Sequence, residues 1–211
     1  MALADLGAVF STMGSMSRHP SVLPLALGLW GLAVVSGMSV LWSYGATPGA
    51  AAAAPQRWPV ESRVERAPGR ATLLVFAHPQ CPCTRASIEE IDRLLASLHE
   101  LPDVRILFAT LGPDSDREVS GLWNRAKAIP GVTVLHDDDG REAQRFGVAT
   151  SGQVLLYDAG GDLRFAGGVT PSRGHEGDSA GRSTLLDLLS GGRAATDVTP
   201  VFGCSLVASP T

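Results

Sequence analysis

The stretch Leu73–Cys83, which reads LLVFAHPQCPC, decides the fold of this chain. It begins inside the apolar run Thr72–Ala77, whose length and lack of charge predict a strand buried on both faces. After the cysteines, apolar residues recur at helical spacing over Ile88–Leu98, with acidic residues between them. Ser87-x-x-Glu90 matches a capping box, so the helix is expected to begin at Ser87, or a turn earlier with Pro82 in its first position, where a proline removes no helical hydrogen bond. The stretch therefore joins a buried strand to the start of an amphipathic helix.

Strands and helices continue to alternate along the chain. The predicted strands are Val104–Thr110, Val132–Leu135, Gln153–Tyr157 and Leu163–Ala166, and the predicted helices are Arg117–Ala128, Arg141–Phe146 and Arg182–Leu189. The last two strands flank Asp158–Asp162, a glycine-rich segment typical of a hairpin turn. This order predicts an α/β domain with a mixed sheet, in which a parallel core carries an antiparallel hairpin edge.

An apolar segment precedes this domain. Val22–Trp42 contains 21 apolar or small residues, enough for a helix of about 30 Å that crosses a bilayer. Its length favours an uncleaved signal anchor over a cleaved signal peptide, and Arg18 before it favours a cytoplasmic N-terminus. The predicted parts are a cytoplasmic segment 1–21, a transmembrane helix 22–42, an Ala/Pro/Gly-rich linker 43–59, a domain 60–192 and a tail 193–211. The domain is therefore expected on the periplasmic side of an inner membrane.

The charge of the chain excludes one class of partner. Its 17 basic and 21 acidic residues give a net charge of −4, and no basic cluster appears. Nucleic acid is therefore not an expected ligand.

The chain has three cysteines, Cys81, Cys83 and Cys204. The first two lie where a strand ends and a helix begins, and a helix N-terminus stabilises the thiolate that disulfide exchange and soft-metal binding both need. A Cys81–Cys83 disulfide would close a small ring that Pro82 stiffens. The alternative is a disulfide from Cys81 or Cys83 to Cys204, and the sequence leaves this choice open.

The segment LLVFAHPQCPC and its helix resemble the active-site segment of the thioredoxin superfamily. The segment from Val134 to Val148 and the strands QVLLYD and GDLRFAGG resemble its membrane-tethered TlpA/ResA-like branch. The Cys-Pro-Cys motif, Arg173–Gly177 and the late Phe-Gly-Cys also resemble the RedB-like group. The resemblance implies a thioredoxin-like three-layer sandwich after one transmembrane helix, with extracytoplasmic thiol–disulfide chemistry.

The chain departs from the family pattern at three places. Gln80 replaces the family's tryptophan, and Thr84 stands where its second cysteine would fall. The position of the family's cis-proline reads Ala-Thr-Ser-Gly, so Thr150 and Ser151 are expected to contact substrate. In the family this proline supports substrate docking and discourages metal binding, so its absence leaves room for a metal.

Four further residues are candidates for the site. His78 precedes the cysteines and is suited to stabilise a thiolate or bind a metal. Arg173 and His175 lie in a glycine-rich loop, where glycine permits close approach of backbone. Together with Pro82, these residues complete the expected substrate-binding set.

The leading function is therefore a thiol–disulfide oxidoreductase that needs no cofactor. Cys81, expected to be the more exposed cysteine, attacks a partner disulfide, and Cys83 or Cys204 resolves the mixed disulfide. Its partners would be protein thiols or disulfides and a membrane-borne electron donor. One alternative is Cu(I) binding or delivery through Cys81, Cys83, His78 and His175. The other is a non-catalytic scaffold in a membrane complex.

Overall fold

The computed structural model describes residues 22–50, 53–110, 120–193 and 197–206. It divides into two compact units, Met1–Trp42 and Ser43–Thr211. The first unit contributes most of helix α1, Val22–Ala46, in which no residue is buried. Within the described residues, this helix alone is long and apolar enough to cross a membrane, and an N-terminal signal sequence would share these properties.

The second unit alternates strands and helices as the sequence predicts. Its strands are β1 Thr72–Ala77, β2 Asp103–Thr110, β3 Val132–Asp138, β4 Gln153–Tyr157 and β5 Leu163–Gly168. Its helices are α2 Pro82–Ala96, α3 Ser120–Lys127, α4 Arg141–Arg145 and α5 Ala180–Leu189. The start of the predicted helix Arg117–Ala128 lies outside the described residues. Helix α2 begins at Pro82, which has the fixed φ that a first helical residue needs.

The five strands form one mixed sheet in the order β3-β2-β1-β4-β5. β1 pairs in parallel with β2, and β2 in parallel with β3. β4 runs antiparallel to β1 and to β5, so the hairpin forms the edge that the turn at Asp158–Asp162 predicts. The predicted α/β class is confirmed, and β1 with its following cysteines lies at the centre of the sheet.

The central strand supplies apolar side chains to both faces of the sheet. Leu73, Val75 and Ala77 join a core with α2, α3 and α5, whereas Leu74 and Phe76 join a second core with α4. Alternate residues of a strand point to opposite faces, so a fully apolar strand is buried on both. The three-layer arrangement is therefore confirmed.

The segment predicted as a linker, 43–59, includes the end of a helix and residues that contact the domain. Helix α1 extends to Ala46, and Gly49, Pro55 and Trp58 of the following segment bond to residues of the domain. The Trp58 ring lies 5.0 Å from the Phe146 ring and 5.2 Å from the Tyr157 ring, and the Tyr157 hydroxyl donates to the carbonyl of Pro55 at 2.9 Å. Composition suggested a free tether because its small residues show no periodic pattern. A single half-buried tryptophan leaves no such pattern.

The predicted tail also packs on the domain. Val198 bridges to Ala166 of β5, and Leu206 is buried in the second core. This packing brings the end of the described chain back to the loop before β4, beside the start of α2.

Candidate active site

The three cysteines meet at the N-terminus of α2. Cys81 is the residue that caps this helix, with φ −86° and ψ 123°, and Cys83 lies within its first turn. The Cys204 thiol donates to the Cys81 sulfur, and the two sulfur atoms are 2.8 Å apart. All three cysteines are free thiols in this structure.

Backbone pairing holds Cys204 in this place. The Ser151 N–H donates to the Cys204 carbonyl at 2.8 Å, and the Leu206 N–H donates to the Ala149 carbonyl at 2.8 Å. These bonds make the tail a short antiparallel partner of the loop before β4. Gly203 permits the close approach, because a Cβ at this position would overlap the carbonyl oxygen of Ser151.

Hydrogen bonding lowers the pKa of Cys81. The strongest cause is a hydrogen bond from the Cys83 thiol, and further donors are Cys204, Ser151 and the backbone N–H of Thr84. Burial opposes them, yet the pKa of Cys81 falls to about 3. Cys81 is therefore a thiolate at neutral pH.

The other two thiols keep their protons. The hydrogen bond to Cys81 and burial both raise the pKa of Cys83. Burial first, and then the interactions with Cys81, raise the pKa of Cys204 to about 11, although the charge of Arg173 opposes this. One thiolate stabilised by two thiol donors is thus the resting arrangement.

The expectation that Cys81 is the more exposed cysteine is wrong. Cys81 is 2% exposed, Cys83 is also buried, and Cys204 is exposed. The tail covers Cys81, and Ser151 faces it from the loop before β4. A cysteine at a helix N-terminus is open to solvent only where no distant segment lies across it, which local sequence does not reveal.

The predicted residues around the cysteines have different surroundings. The Ser151 hydroxyl bonds to the Thr84 hydroxyl at 2.9 Å and faces Cys81, whereas the Thr150 hydroxyl donates to the Ala50 carbonyl at 2.9 Å. Both are buried, so they stabilise the site rather than present themselves to a partner. Pro82 is exposed. The His78 imidazole accepts from the Gln80 N–H at 3.2 Å and bonds to no cysteine among the described residues.

The glycine-rich loop does reach the site. Arg173 donates to the Gly203 carbonyl at 2.6 Å and to the Thr47 carbonyl at 3.2 Å, so it holds the turn that carries Cys204. The backbone N–H of Gly174 faces Cys83 and slightly opposes the rise of the Cys83 pKa. The His175 ring is exposed, and its Nδ1 lies 2.7 Å from the Arg173 carbonyl. His175 thus stabilises its own loop.

Sequence reasoning assigned no role in the site to Thr84 or Glu90. Thr84 accepts from the His78 N–H at 3.0 Å and bonds to Ser151, which links β1, α2 and the loop before β4. Its position, where the family has a cysteine, was the available signal. Glu90 is buried, pairs with Arg93 and Arg182, and accepts from the Gly177 N–H at 2.7 Å. The local sequence indicates for Glu90 only the capping box Ser87-x-x-Glu90, and not its burial.

The structure does not assemble the predicted metal ligands. Within residues 22–50, 53–110, 120–193 and 197–206, no group of three or more His, Cys, Asp or Glu side chains is arranged to hold a metal ion. His78 and His175 each bond to backbone instead. Copper therefore stays a prediction.

No protein-family model and no curated protein matches this sequence. Among solved structures, an uncharacterized conserved protein from Geobacillus kaustophilus is 18% identical with a TM-score of 0.53, covering 79% of this chain and 92% of that one. A hypothetical protein from Sinorhizobium meliloti is 20% identical with a TM-score of 0.51, covering 65% of this chain and 79% of that one. A secreted Mycobacterium tuberculosis disulfide oxidoreductase is 18% identical with a TM-score of 0.40, covering 59% and 83%.

This domain has the thioredoxin-like fold. The strand–cysteine–helix unit at the centre of a mixed sheet is the arrangement that the sequence resemblance implied. The TlpA/ResA-like branch and the RedB-like group remain predictions for this thioredoxin-like chain.

Proposed function

We propose that this chain is a membrane-anchored thiol–disulfide oxidoreductase whose working disulfide joins Cys81 and Cys204. The observation that carries the proposal is the contact between their sulfur atoms, 2.8 Å apart at the N-terminus of α2. A disulfide of about 2.05 Å needs only a small further approach. Exchange also requires a thiolate, and hydrogen bonding keeps the pKa of Cys81 low.

Cys83 is the less suitable partner for Cys81. Its place in the first turn of α2 would close a ring of very few residues around the stiff Pro82. Its thiol is also the strongest donor to the Cys81 thiolate. Cys83 therefore acts as a positioning residue, which stabilises Cys81 in the reduced state.

The cycle exchanges two electrons with partner proteins. When the Cys81–Cys204 disulfide forms, the two sulfurs give two electrons to a partner disulfide, which is reduced to two thiols. One of these thiols takes its proton from Cys204, and the other takes its proton from water. The reverse step oxidises partner thiols and restores both cysteines. A membrane-borne electron carrier would return the domain to its starting redox state.

Peptide mapping of the oxidised full-length chain in detergent tests the proposed pair. Cleavage after Arg and Lys separates peptide 71–85, which holds Cys81 and Cys83, from the peptide that follows Arg193 and holds Cys204. We expect these two peptides to be linked in the wild type and in Cys83→Ser, and separate in Cys204→Ser. Reduction of an insulin-type disulfide should be lost in Cys81→Ser and in Cys204→Ser. A disulfide confined to peptide 71–85 would contradict the proposed pair.

The apolar helix α1 supports the membrane anchor. We expect the full chain to stay with membranes after alkaline extraction and to be released when residues 1–42 are removed. A membrane-impermeant maleimide added to intact spheroplasts should label Cys204 of the reduced protein if the domain is periplasmic. Labelling only after lysis would place the domain on the cytoplasmic side.

Copper delivery and a non-catalytic scaffold role remain predictions, and the same purified protein can be used to test both. A reduced chain that holds stoichiometric Cu(I) against a competing chelator would favour metal delivery through the three thiols. Partner binding that survives replacement of all three cysteines, without any exchange activity, would favour a scaffold.

A further inference from the structure

We propose that outside thiols exchange with this protein at Cys204, while Cys81 is an internal sulfur that bonds only to Cys204. The inference rests on the Cys81–Cys204 disulfide proposed above. It reverses the order that the sequence suggested, in which Cys81 meets the partner first.

Access to the two sulfurs differs. Disulfide exchange needs the attacking thiolate to reach one sulfur of the pair, so the more accessible sulfur reacts. Cys204 is exposed, whereas Cys81 is 2% exposed. Cys83, Ser151 and the N–H of Thr84 all donate to the Cys81 sulfur, so protein groups occupy its surroundings. A partner can therefore approach Cys204 but not Cys81.

The stability of the leaving group also favours attack at Cys204. A disulfide opens faster when the departing sulfur is a stable thiolate. When the disulfide opens, Cys81 becomes a thiolate that accepts hydrogen bonds from Cys83, Ser151 and the N–H of Thr84. Attack at Cys204 releases that stabilised thiolate, whereas attack at Cys81 would release Cys204, whose pKa is raised.

The charge at the entrance suits an anionic attacker. Arg173 donates to the carbonyl of Gly203, directly before Cys204, and its charge lowers the pKa of Cys204 against the effect of burial. A guanidinium beside the exposed sulfur attracts a thiolate. Glu176 lies on the same loop, where Arg85 and Arg93 pair with it.

Two successive exchanges reduce the Cys81–Cys204 disulfide. A partner thiolate forms a bond to Cys204 Sγ, the Cys81–Cys204 bond breaks, and its electron pair stays on Cys81 Sγ. A second thiolate of the partner then attacks the partner sulfur of this mixed disulfide, and Cys204 leaves and takes a proton from water. The partner loses two electrons as its dithiol becomes a disulfide, and the protein's disulfide gains them. The partner class is therefore a dithiol with accessible sulfurs.

The test locates the first mixed disulfide. Oxidised full-length protein in detergent is mixed briefly with glutathione as the probe thiol, quenched with acid and cleaved after Arg and Lys. We expect glutathione on the Cys204 peptide in at least about ten-fold excess over peptide 71–85 at the earliest times. Cys83→Ser should give the same pattern, which removes the ambiguity of two cysteines in one peptide.

Denatured oxidised protein is the matched control. Unfolding exposes both sulfurs, so glutathione should then label the two peptides to similar extents. In the folded protein, equal labelling or a preference for peptide 71–85 would overturn the assignment of Cys204. Absence of any Cys81–Cys204 disulfide before glutathione is added would instead contradict the proposed function itself.

Discussion

At the level of single residues, the hydroxyl of Ser151 joins two parts of the site. It bonds to the Thr84 hydroxyl and donates to the Cys81 sulfur. Thr84 keeps a second partner, the His78 N–H, so loss of the Ser151 hydroxyl leaves no buried hydroxyl alone. The effect of removing it should therefore fall mainly on the thiolate.

We expect Ser151→Ala to raise the pKa of Cys81, because one donor to its thiolate is lost. Ultraviolet absorbance of the thiolate in the reduced protein, followed as a function of pH, measures this shift. Ser97→Ala is the matched control, since Ser97 bonds to the Arg93 carbonyl at the other end of α2. An unchanged titration in Ser151→Ala would show that this hydroxyl does not stabilise the thiolate.

The lowered pKa of Cys81 also predicts how stability depends on pH. The pKa of an unfolded cysteine thiol is about 8.5, whereas the pKa of Cys81 in the folded protein is about 3. Between these values the unfolded chain binds one more proton, so stability rises with pH. The contribution of Cys81 is complete above the unfolded pKa and is lost as the pH falls toward the folded pKa.

We therefore expect the free energy of unfolding of the reduced wild type to exceed that of Cys81→Ser by an amount that shrinks on acidification. Urea unfolding of both proteins with a phosphine reductant, at several pH values from weakly alkaline to acidic, measures this difference. A difference that does not vary with pH would contradict a thiolate at Cys81.

At the level of elements, the pairing of the tail with the loop before β4 brings Cys204 to Cys81. Gly203 lies where this pairing is closest, against the carbonyl oxygen of Ser151. Its backbone is in an ordinary conformation, so the need for glycine comes from space and not from a positive φ. The tail therefore tolerates no side chain at this position.

Gly203→Ala should displace the tail and weaken the Cys81–Cys204 disulfide. Forcing one extra carbon into a packed site costs about 1–3 kcal/mol, and each 1.4 kcal/mol is about a ten-fold change in an equilibrium. Equilibration with glutathione redox buffers, followed by mass spectrometry, measures the change. Gly121→Ala is the control, because a Cβ there meets nothing within 4 Å. Equal disulfide stability in wild type and Gly203→Ala would contradict the close contact.

Arg173 also stabilises the turn at Gly203 that carries Cys204. Its guanidinium bridges the carbonyls of Gly203 and Thr47, so Arg173→Ala should slow formation of the Cys81–Cys204 disulfide. Arg173→Lys should keep the lowering effect of the positive charge on the Cys204 pKa but should not keep both hydrogen bonds to the turn, because lysine keeps the charge but lacks the fork of donors. Alkylation of Cys204 as a function of pH separates the two effects. Arg164→Ala, on exposed β5 surface, is the control.

At the level of the whole domain, the segment that follows α1 is part of the fold. The Trp58 ring packs edge-on against Phe146 and Tyr157, and the backbone N–H of Trp58 donates to the Gly161 carbonyl at 2.9 Å. The domain therefore includes residues that precede its first strand.

We expect Trp58→Ala to lower the free energy of unfolding of the domain by about 2 kcal/mol, since a half-buried aromatic is lost from a packed cluster. Chemical denaturation of the full chain in detergent measures this loss. Trp42→Ala serves as the control, because Trp42 is exposed in α1. A value for Trp58→Ala near that of Trp42→Ala would mean that the segment is a tether after all.

The sequence by itself determined the elements and their order. The apolar run of β1, the helical spacing after Pro82 and the glycine-rich hairpin turn are local patterns, and each specifies a strand, a helix or a turn within a few residues. Alternation of these elements then implied a mixed sheet, with a parallel core and an antiparallel hairpin edge. The thiolate at the N-terminus of α2 was predictable for the same reason.

Only the tertiary structure decided which cysteines meet and which of them a partner can reach. Cys204 lies beside Cys81 because the tail pairs with the loop before β4, and Arg173 and Gly203 hold it there. These contacts join segments that are far apart in the chain. Each segment fits only into the space that the other packed segments leave. Burial of Cys81 and exposure of Cys204 follow from that packing, which no local pattern of residues records.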